Sequence, residues 1–287
     1  MIKEEKDKIK SEFLQNVQSF AETLKEYVST PDNQWTIKGF IDVFERIYTI
    51  SNDTKIVSKV LEIQLFAKFL EFSEQYGYNL VLAKKQNWYP DISLVSKTNP
   101  AIKFALDLKT TYRLEDNPGY CNGFTLGSHG MYFIERTSSK NIQFPYGDYL
   151  GHYCLGIIYS RSAVNSIDET RTYPIEKLKA IPSVINNFTF FACEKWTIAS
   201  DKGGSGNTAN IGSISNIQDI ISGHGTFKHL GEEWFDDYWM NFGKITIIDE
   251  NEKTKKITSL KDFLKYRGAD ETLVNPKTSK KGGKNGR

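Results

Sequence analysis

Apolar residues recur at Ile9, Phe13, Val17, Phe20, Leu24 and Val28, a helical spacing that predicts a first helix with one face packed on a core. A second helix is predicted over 54–76, where Asp53 can cap the first N–H groups and Gly77 can end the helix. Its apolar residues lie almost all the way round, so most of it must be buried. The pattern then changes to short stretches suited to strands: NLVLA (79–83), DISLV (91–95) and KFALDLK (103–109). In KFALDLK strict alternation sends Phe104, Leu106 and Leu108 to one face and Lys103, Ala105, Asp107 and Lys109 to the other. Asn99-Pro100 is a turn signal before that stretch and predicts an antiparallel hairpin centred near Asn99. Such a register sets Asp91 opposite Asp107, with Cβ atoms roughly 5 Å apart. Like charges left alone there repel, so a cation is implied between them.

Farther on, YCLGIIY (153–159) and FTFFACEKWTIA (188–199) read as strands, the first apolar enough to be central. The stretch SDKGGSGNTANIGSISN (200–216) has four glycines and almost no apolar residues, so its backbone is free to touch something other than a core. Helices are predicted at 232–242 and 260–266. Mixed helices and strands without internal repeats indicate an α/β or α+β class.

Composition adds exclusions. With 39% hydrophobic and 25% charged residues among 287, the chain can bury a sizeable core and is not of the disordered type. No apolar run approaches the roughly 20 residues that span a bilayer, and the charged start MIKEEKDKIK is unlike a secretory signal, so a cytosolic protein is expected. Cys121, Cys154 and Cys193 are odd in number and far apart, which fits buried thiols better than disulfides or a zinc site. The net charge of +2 comes from the last twelve residues, PKTSKKGGKNGR, which hold five basic groups and no acidic one. A nucleic-acid cleft would therefore be basic only locally. The tail reads as a solvated, disordered end, with a phosphate-binding arm as the alternative.

Pro90-Asp91, fifteen intervening residues and Asp107-Leu108-Lys109 have the form of the nuclease signature PD…(D/E)xK. Phosphodiester hydrolysis uses a divalent cation to bind phosphate oxygens and offset growing charge. Mg²⁺ takes hard oxygen ligands, usually one or two carboxylates with water and phosphate completing its shell. Lys109, on the Asp107 face, could orient or deprotonate the attacking water or stabilise the pentavalent state. A surface hairpin with ordinary charges would carry the same string.

Several ordered stretches go further: DTKIVSKVLE, QNWYPD, ALDLKTTY, GFTLG, KNIQFPYGDYLGHY, EKWTIASD and GSGNTANIGS, with a looser FDDYWMNF and YRG. Over 51–268 the chain resembles the EcoRV-like type II restriction endonucleases of the PD-(D/E)xK superfamily. The resemblance implies an α/β restriction-endonuclease-like fold, a central mixed sheet flanked by helices. It divides the chain into an N-terminal helical extension (1–30), a catalytic and DNA-binding domain (31–270) and a basic tail (271–287). Asp91, Asp107 and Lys109 take the catalytic positions, Asp91 and Asp107 as Mg²⁺ ligands. Glu62 takes that of a further acidic residue near the metal, against the plainer reading of a glutamate on a helix's polar side. Gly204, Ser205, Gly206, Asn207 and Thr208 match the loop that reads bases in the major groove, where Asn can pair with adenine. Gln86 and Asn87 match a second loop that reaches the minor groove, although Trp88 replaces the family's histidine. Thr110 and Thr111 follow the catalytic strand and could bind phosphate. None of His129, His152, His224 and His229 falls at a ligand spacing.

The implied activity is Mg²⁺-dependent hydrolysis of double-stranded DNA by a homodimer at a short palindrome, GATATC cut bluntly at its centre. It leaves 5′-phosphate ends without a covalent enzyme intermediate, and the host is expected to carry a cognate methyltransferase. WTIKGFIDVFERIYTI (35–50) is an interface candidate, with a core helix as its alternative. A structure-specific repair or junction-resolving nuclease, or a non-catalytic DNA-binding protein on the same fold, are the rival functions.

Overall fold

The computed structural model describes residues 1–85, 87–163, 168, 170–204, 209–248 and 253–275. In chain order these form α1 (Lys3–Val28), β1 (Gly39–Ile41), β2 (Arg46–Thr49), α2 (Thr54–Gln75), β3 (Tyr78–Leu82), β4 (Ile92–Ser96), β5 (Lys103–Leu114), β6 (Asn117–Cys121) and β7 (Thr125–Ser128). There follow α3 (Met131–Ile134), β8 (Gly151–Arg161), β9 (Thr172–Pro174), β10 (Ile185–Glu194), β11 (Ala199–Gly203), β12 (Asn210–Ser213), α4 (Ile217–Ile221), α5 (Glu232–Asn241), β13 (Thr246–Ile248), β14 (Thr254–Lys256) and α6 (Leu260–Arg267).

The ends of α2 are written in its sequence. Asp53 accepts from the N–H groups of Lys55 and Ile56 at 2.9 and 3.3 Å, and Gly77, at φ +72°, follows the last turn. The strand predicted over 188–199 stops sooner, at Glu194, because Lys195–Ile198 turns as a 3₁₀ helix before β11.

The central sheet has the order β10-β8-β5-β4-β3. All its neighbours are antiparallel except β5 and β8, which run parallel, so the sheet is mixed. Both faces are covered, as the apolar β8 requires. On one face α1 and α2 bury Phe13, Val17, Leu24, Val57, Leu61 and Leu65 against Phe104, Leu106, Leu155 and Ile157. On the other, Ala105, Cys154 and Ile158 meet a second core containing Phe124, Leu126, Ile211, Phe235, Trp239 and Phe263. The alternation predicted for 103–109 is thus realised, with one core beneath each parity. Gly156 in β8 lets a ring cross the strand, since a Cβ there would lie 2.1 Å from Phe191. The three thiols are buried and unpaired, as expected.

Three expectations change. The helix taken as an N-terminal extension is part of the core: Phe13 is 1% exposed and stacks on Phe104 at 3.8 Å, and Lys10 pairs with Glu194 and Glu232 at 2.9 and 2.8 Å. Residues 35–50 form no core helix. Trp35 is buried, but beyond it β1 and β2 pair as a hairpin with β9 at its side, turned at Asp42, which accepts from the N–H groups of Phe44 and Arg46. The tail begins later than 271, because Glu271–Leu273 makes a 3₁₀ turn and the buried Asn275 donates to the carbonyls of His224 and Gly225. Residues 276–287, with most of the tail, lie outside the described residues.

Among the described residues no helix is long and apolar enough to cross a membrane. Truncating Phe13 to Ala should lower the stability of the whole chain by about 3–5 kcal/mol, because it opens a cavity between α1 and the sheet. Urea unfolding checks this. A helix that merely extended the fold would leave the midpoint unchanged.

Candidate active site

The β4–β5 pairing runs Ile92↔Leu106, Ser93↔Ala105 and Leu94↔Phe104, and its continuation by one residue sets Asp91 across from Asp107. The predicted register is the observed one. Backbone groups fasten the two carboxylates: the Asp91 N–H donates to Asp107 Oδ1 at 3.3 Å, and the Leu108 N–H donates to Asp91 Oδ2 at 2.9 Å. Lys109, two residues along the same strand face, brings Nζ to 2.7 Å from Asp107 Oδ2. Asp107 is 3% exposed, and Oδ2 takes no well-directed hydrogen bond although Lys109 lies beside it.

Burial and the Asp107 charge push the Asp91 carboxyl up to about 7, with Lys109 and the Leu108 N–H opposing them. Burial acts against the charge on Asp107 as well. There the neighbouring Lys109, with Lys195 behind it, prevails and holds the carboxyl below the ordinary range. Burial likewise disfavours the Lys109 ammonium, but the two aspartates more than offset it and raise its pKa well above that of an ordinary lysine. The opposed directions of Asp91 and Asp107 are those of two carboxylates that share one site and titrate as a pair.

An open cleft of about 910 Å³ leads to this cluster, lined by Asp91, Lys109, Thr110, Thr111, Asn87 and Glu62 among others. Thr110 and Thr111 stand on opposite sheet faces. Thr110 hydrogen-bonds the Ser58 hydroxyl on α2, whereas Thr111 is 3% exposed. Gly204 lies at the end of the β11–β12 hairpin, its N–H donating to the Asn210 carbonyl at 2.8 Å. That hairpin is joined to β7, whose Thr125 and Gly127 line the cleft, so the base of the glycine-rich loop is bound to the cleft wall. Gln86, Ser205, Gly206, Asn207 and Thr208 lie outside the described residues.

Glu62 does not join the aspartates. It lines the cleft from α2, which covers the Leu106 face of the sheet, while Asp107 points to the opposite face, and its carboxylate is held by Lys59 at 2.7 Å. Among the described residues no three side chains of metal-ligating type converge. Glu62 thus stands in the wall of the cleft that Asp91 and Lys109 also line, paired with Lys59.

The family model described as "Restriction endonuclease EcoRV" matches residues 31–268. The chain belongs to the EcoRV restriction-endonuclease family. It is 34% identical over 238 residues, 83% of its own length and 94% of the relative's, to the type II restriction enzyme EcoRV of Escherichia coli. Endonucleases of the EcoRV family generally depend on a divalent metal. The residues present fit such an ion: two facing carboxylates supply hard oxygens, and the buried Oδ2 of Asp107 has acceptor capacity that no directed donor uses.

Sequence reasoning missed the wall behind the aspartates. Tyr89 hydrogen-bonds His152 Nδ1 at 3.0 Å and stacks on Tyr132, and Tyr146 stacks on His152 at 3.6 Å. Lys195, 1% exposed, is enclosed by these rings. Next to Glu194 in the sequence, it gave no signal of its burial.

The raised Asp91 has a stability consequence. Its folded value near 7 exceeds the ordinary 3.8, so the folded chain holds a proton that the unfolded chain has lost, and stability falls as pH rises through that window. In chelator, Asp91→Asn should therefore be more stable to thermal unfolding than the parent above about pH 7, by on the order of 1–4 kcal/mol. Below the ordinary carboxylate range the gap should close. A difference independent of pH contradicts the assignment.

Proposed function

We propose that the chain is a type II restriction endonuclease that hydrolyses double-stranded DNA at a short palindromic site, working as a homodimer with Mg²⁺. The observation that carries this reading is the placement of Asp91 across from Asp107, with Lys109 on the same face, at the floor of a cleft that also meets the glycine-rich hairpin. Asp91 and Asp107 would hold the cation, which when bound neutralises charge on the scissile phosphate.

Lys109 is kept protonated by the aspartates. It therefore acts as a charged donor to water or phosphate, and not as the group that removes the proton. Water attacks phosphorus and the bond to the 3′ oxygen breaks, leaving 5′-phosphate and 3′-hydroxyl ends with no covalent enzyme intermediate. Thr110 and Asn87 line the cleft where backbone phosphates and the second groove would pass. The loop 204–208 reads bases in the major groove, its glycines permitting close approach and Asn207 offering the adenine-pairing amide. Gln86 would extend the Asn87 contact, and Thr111, which also lines the cleft, would add a hydroxyl toward phosphate.

Two active sites are needed to cut both strands at a palindrome, and the two-fold of the site calls for a two-fold protein. The β1–β2 hairpin is the interface. Phe40, Ile41, Val43 and Phe44 on it are 53%, 58%, 91% and 73% exposed, an apolar cluster that one protomer alone leaves in water. The cognate methyltransferase would act on the same site in the host without forming a stable complex.

The decisive experiment is digestion of DNA of known sequence with Mg²⁺ and sequencing of the ends, with GATATC and a blunt central cut as the first site to test. Discrete fragments with 5′-phosphates are expected, whereas cleavage at branches irrespective of sequence overturns site specificity. Asp107→Ala should abolish cleavage, and Lys109→Ala should lower kcat by about 10²–10³-fold with binding of DNA retained. Full cleavage by Asp107→Ala removes the active-site assignment. Val43→Asp with Phe44→Asp should give a monomer in sedimentation equilibrium that no longer makes double-strand cuts.

A further inference from the structure

Lys195 is a buried cation with no hydrogen-bond partner among the described residues. Its Nζ lies over the rings of Tyr89, Phe133 and Tyr146 at 5.1, 5.3 and 5.6 Å, and the residue is 1% exposed. An ammonium kept from water needs either hydrogen bonds or a strong opposing field. The rings supply part of that field. The nearby acid Asp236 is already paired with Arg136 at 2.8 Å, and the carboxylate that acts most strongly on Lys195 is Asp107.

The position is as telling as the charge. A Cβ on Gly127 would lie 3.6 Å from Lys195 Nζ, and Gly127, at φ +93°, lines the cleft together with Asp91, Asp107 and Lys109. Lys195 therefore sits directly beneath the cleft floor, on the far side of a residue with no side chain. The floor then carries two carboxylates, Asp91 and Asp107, against two ammonium groups, Lys109 and Lys195. With all four ionised the balance is zero. A neutral site attracts a divalent cation weakly, and a phosphate brought by DNA supplies the missing negative charge.

We infer that Lys195 is a positioning residue that weakens divalent-cation binding to the free protein, so that the carboxylate pair retains its cation only when a DNA phosphate joins it. The inference rests on Asp91 and Asp107 being the cation ligands. Lys195 touches neither substrate nor cation; it acts through the field it places on Asp107.

The test is a titration of the full-length protein with Mn²⁺ alone, without DNA and near neutral pH, following the free-ion paramagnetic signal. Neutral pH keeps Lys195 charged, since burial has brought its ammonium down to about 8. Lys195→Met removes the charge while keeping the volume, and should tighten Mn²⁺ binding by about tenfold. Lys195→Arg should bind as the parent does, and Asp107→Ala should lose binding.

Loss in Asp107→Ala with no tightening in Lys195→Met overturns the role of Lys195 and leaves the site reading intact. Parent-like binding by Asp107→Ala removes the site reading and this inference with it. Thermal unfolding is recorded for each variant. Should Lys195→Met not fold, Lys195→Gln takes its place, and collapse of both beside a folded Lys195→Arg makes the residue structural, against the proposal. A structural role alone would not tighten cation binding.

Discussion

Two carboxylates face each other at the end of a hairpin, one of them inside the protein, and their mutual repulsion organises the residues around them. Asp107 is 3% exposed, a position where an ionised carboxylate is tolerated only beside positive charge. Lys109 meets that need from the same strand at 2.7 Å, and the Leu108 N–H serves Asp91 in the same way. With Lys195 beneath the floor as well, two carboxylates stand against two ammonium groups.

The sheet makes this arrangement possible because its two faces are unlike. The side carrying Phe104 and Leu106 packs under α1 and α2 in an aromatic and aliphatic core. The opposite side carries Ala105 and then Asp107, as the second core gives way to a cleft. A β-strand changes face at every residue, so a one-residue slip would bury Lys109 against α2 and expose Leu108 to the cleft. The parallel pairing of β5 with the wholly apolar β8 and the antiparallel pairing with β4 hold the register from both sides.

The same frame carries the part of the chain that would read DNA. The β11–β12 hairpin is not an independent arm: through β12 it is hydrogen-bonded to β7, and Thr125 and Gly127 of β7 are cleft residues. The base of the proposed recognition loop and the proposed cleavage site are therefore joined through a few backbone hydrogen bonds, with Gly127 the point at which β7, the cleft and the buried Lys195 meet.

Local chemistry was legible in the sequence where it depended on local rules. The Asp53 cap and Gly77 stop marked α2 because capping involves residues two or three apart. Period-two alternation placed Asp107 and Lys109 on one face, and Asn99-Pro100 centred the turn that sets Asp91 across from Asp107. Those signals, with the resemblance to a known family, determined the class of the fold and the residues at its chemical centre. Tertiary structure alone decided the rest. The packing of α2 set Glu62 in the cleft wall beside Lys59, a placement its position in the resemblance did not give. The apolar stretch 35–50 could have been a helix, and long-range pairing with β9 made it an exposed hairpin. The first helix became core because Phe13 found Phe104 across more than ninety residues of chain. Lys195 gave no sign of its place, since a buried charge is defined by what surrounds it, and its surroundings come from Tyr89, Phe133, Tyr146 and Asp107, which only the folded chain assembles.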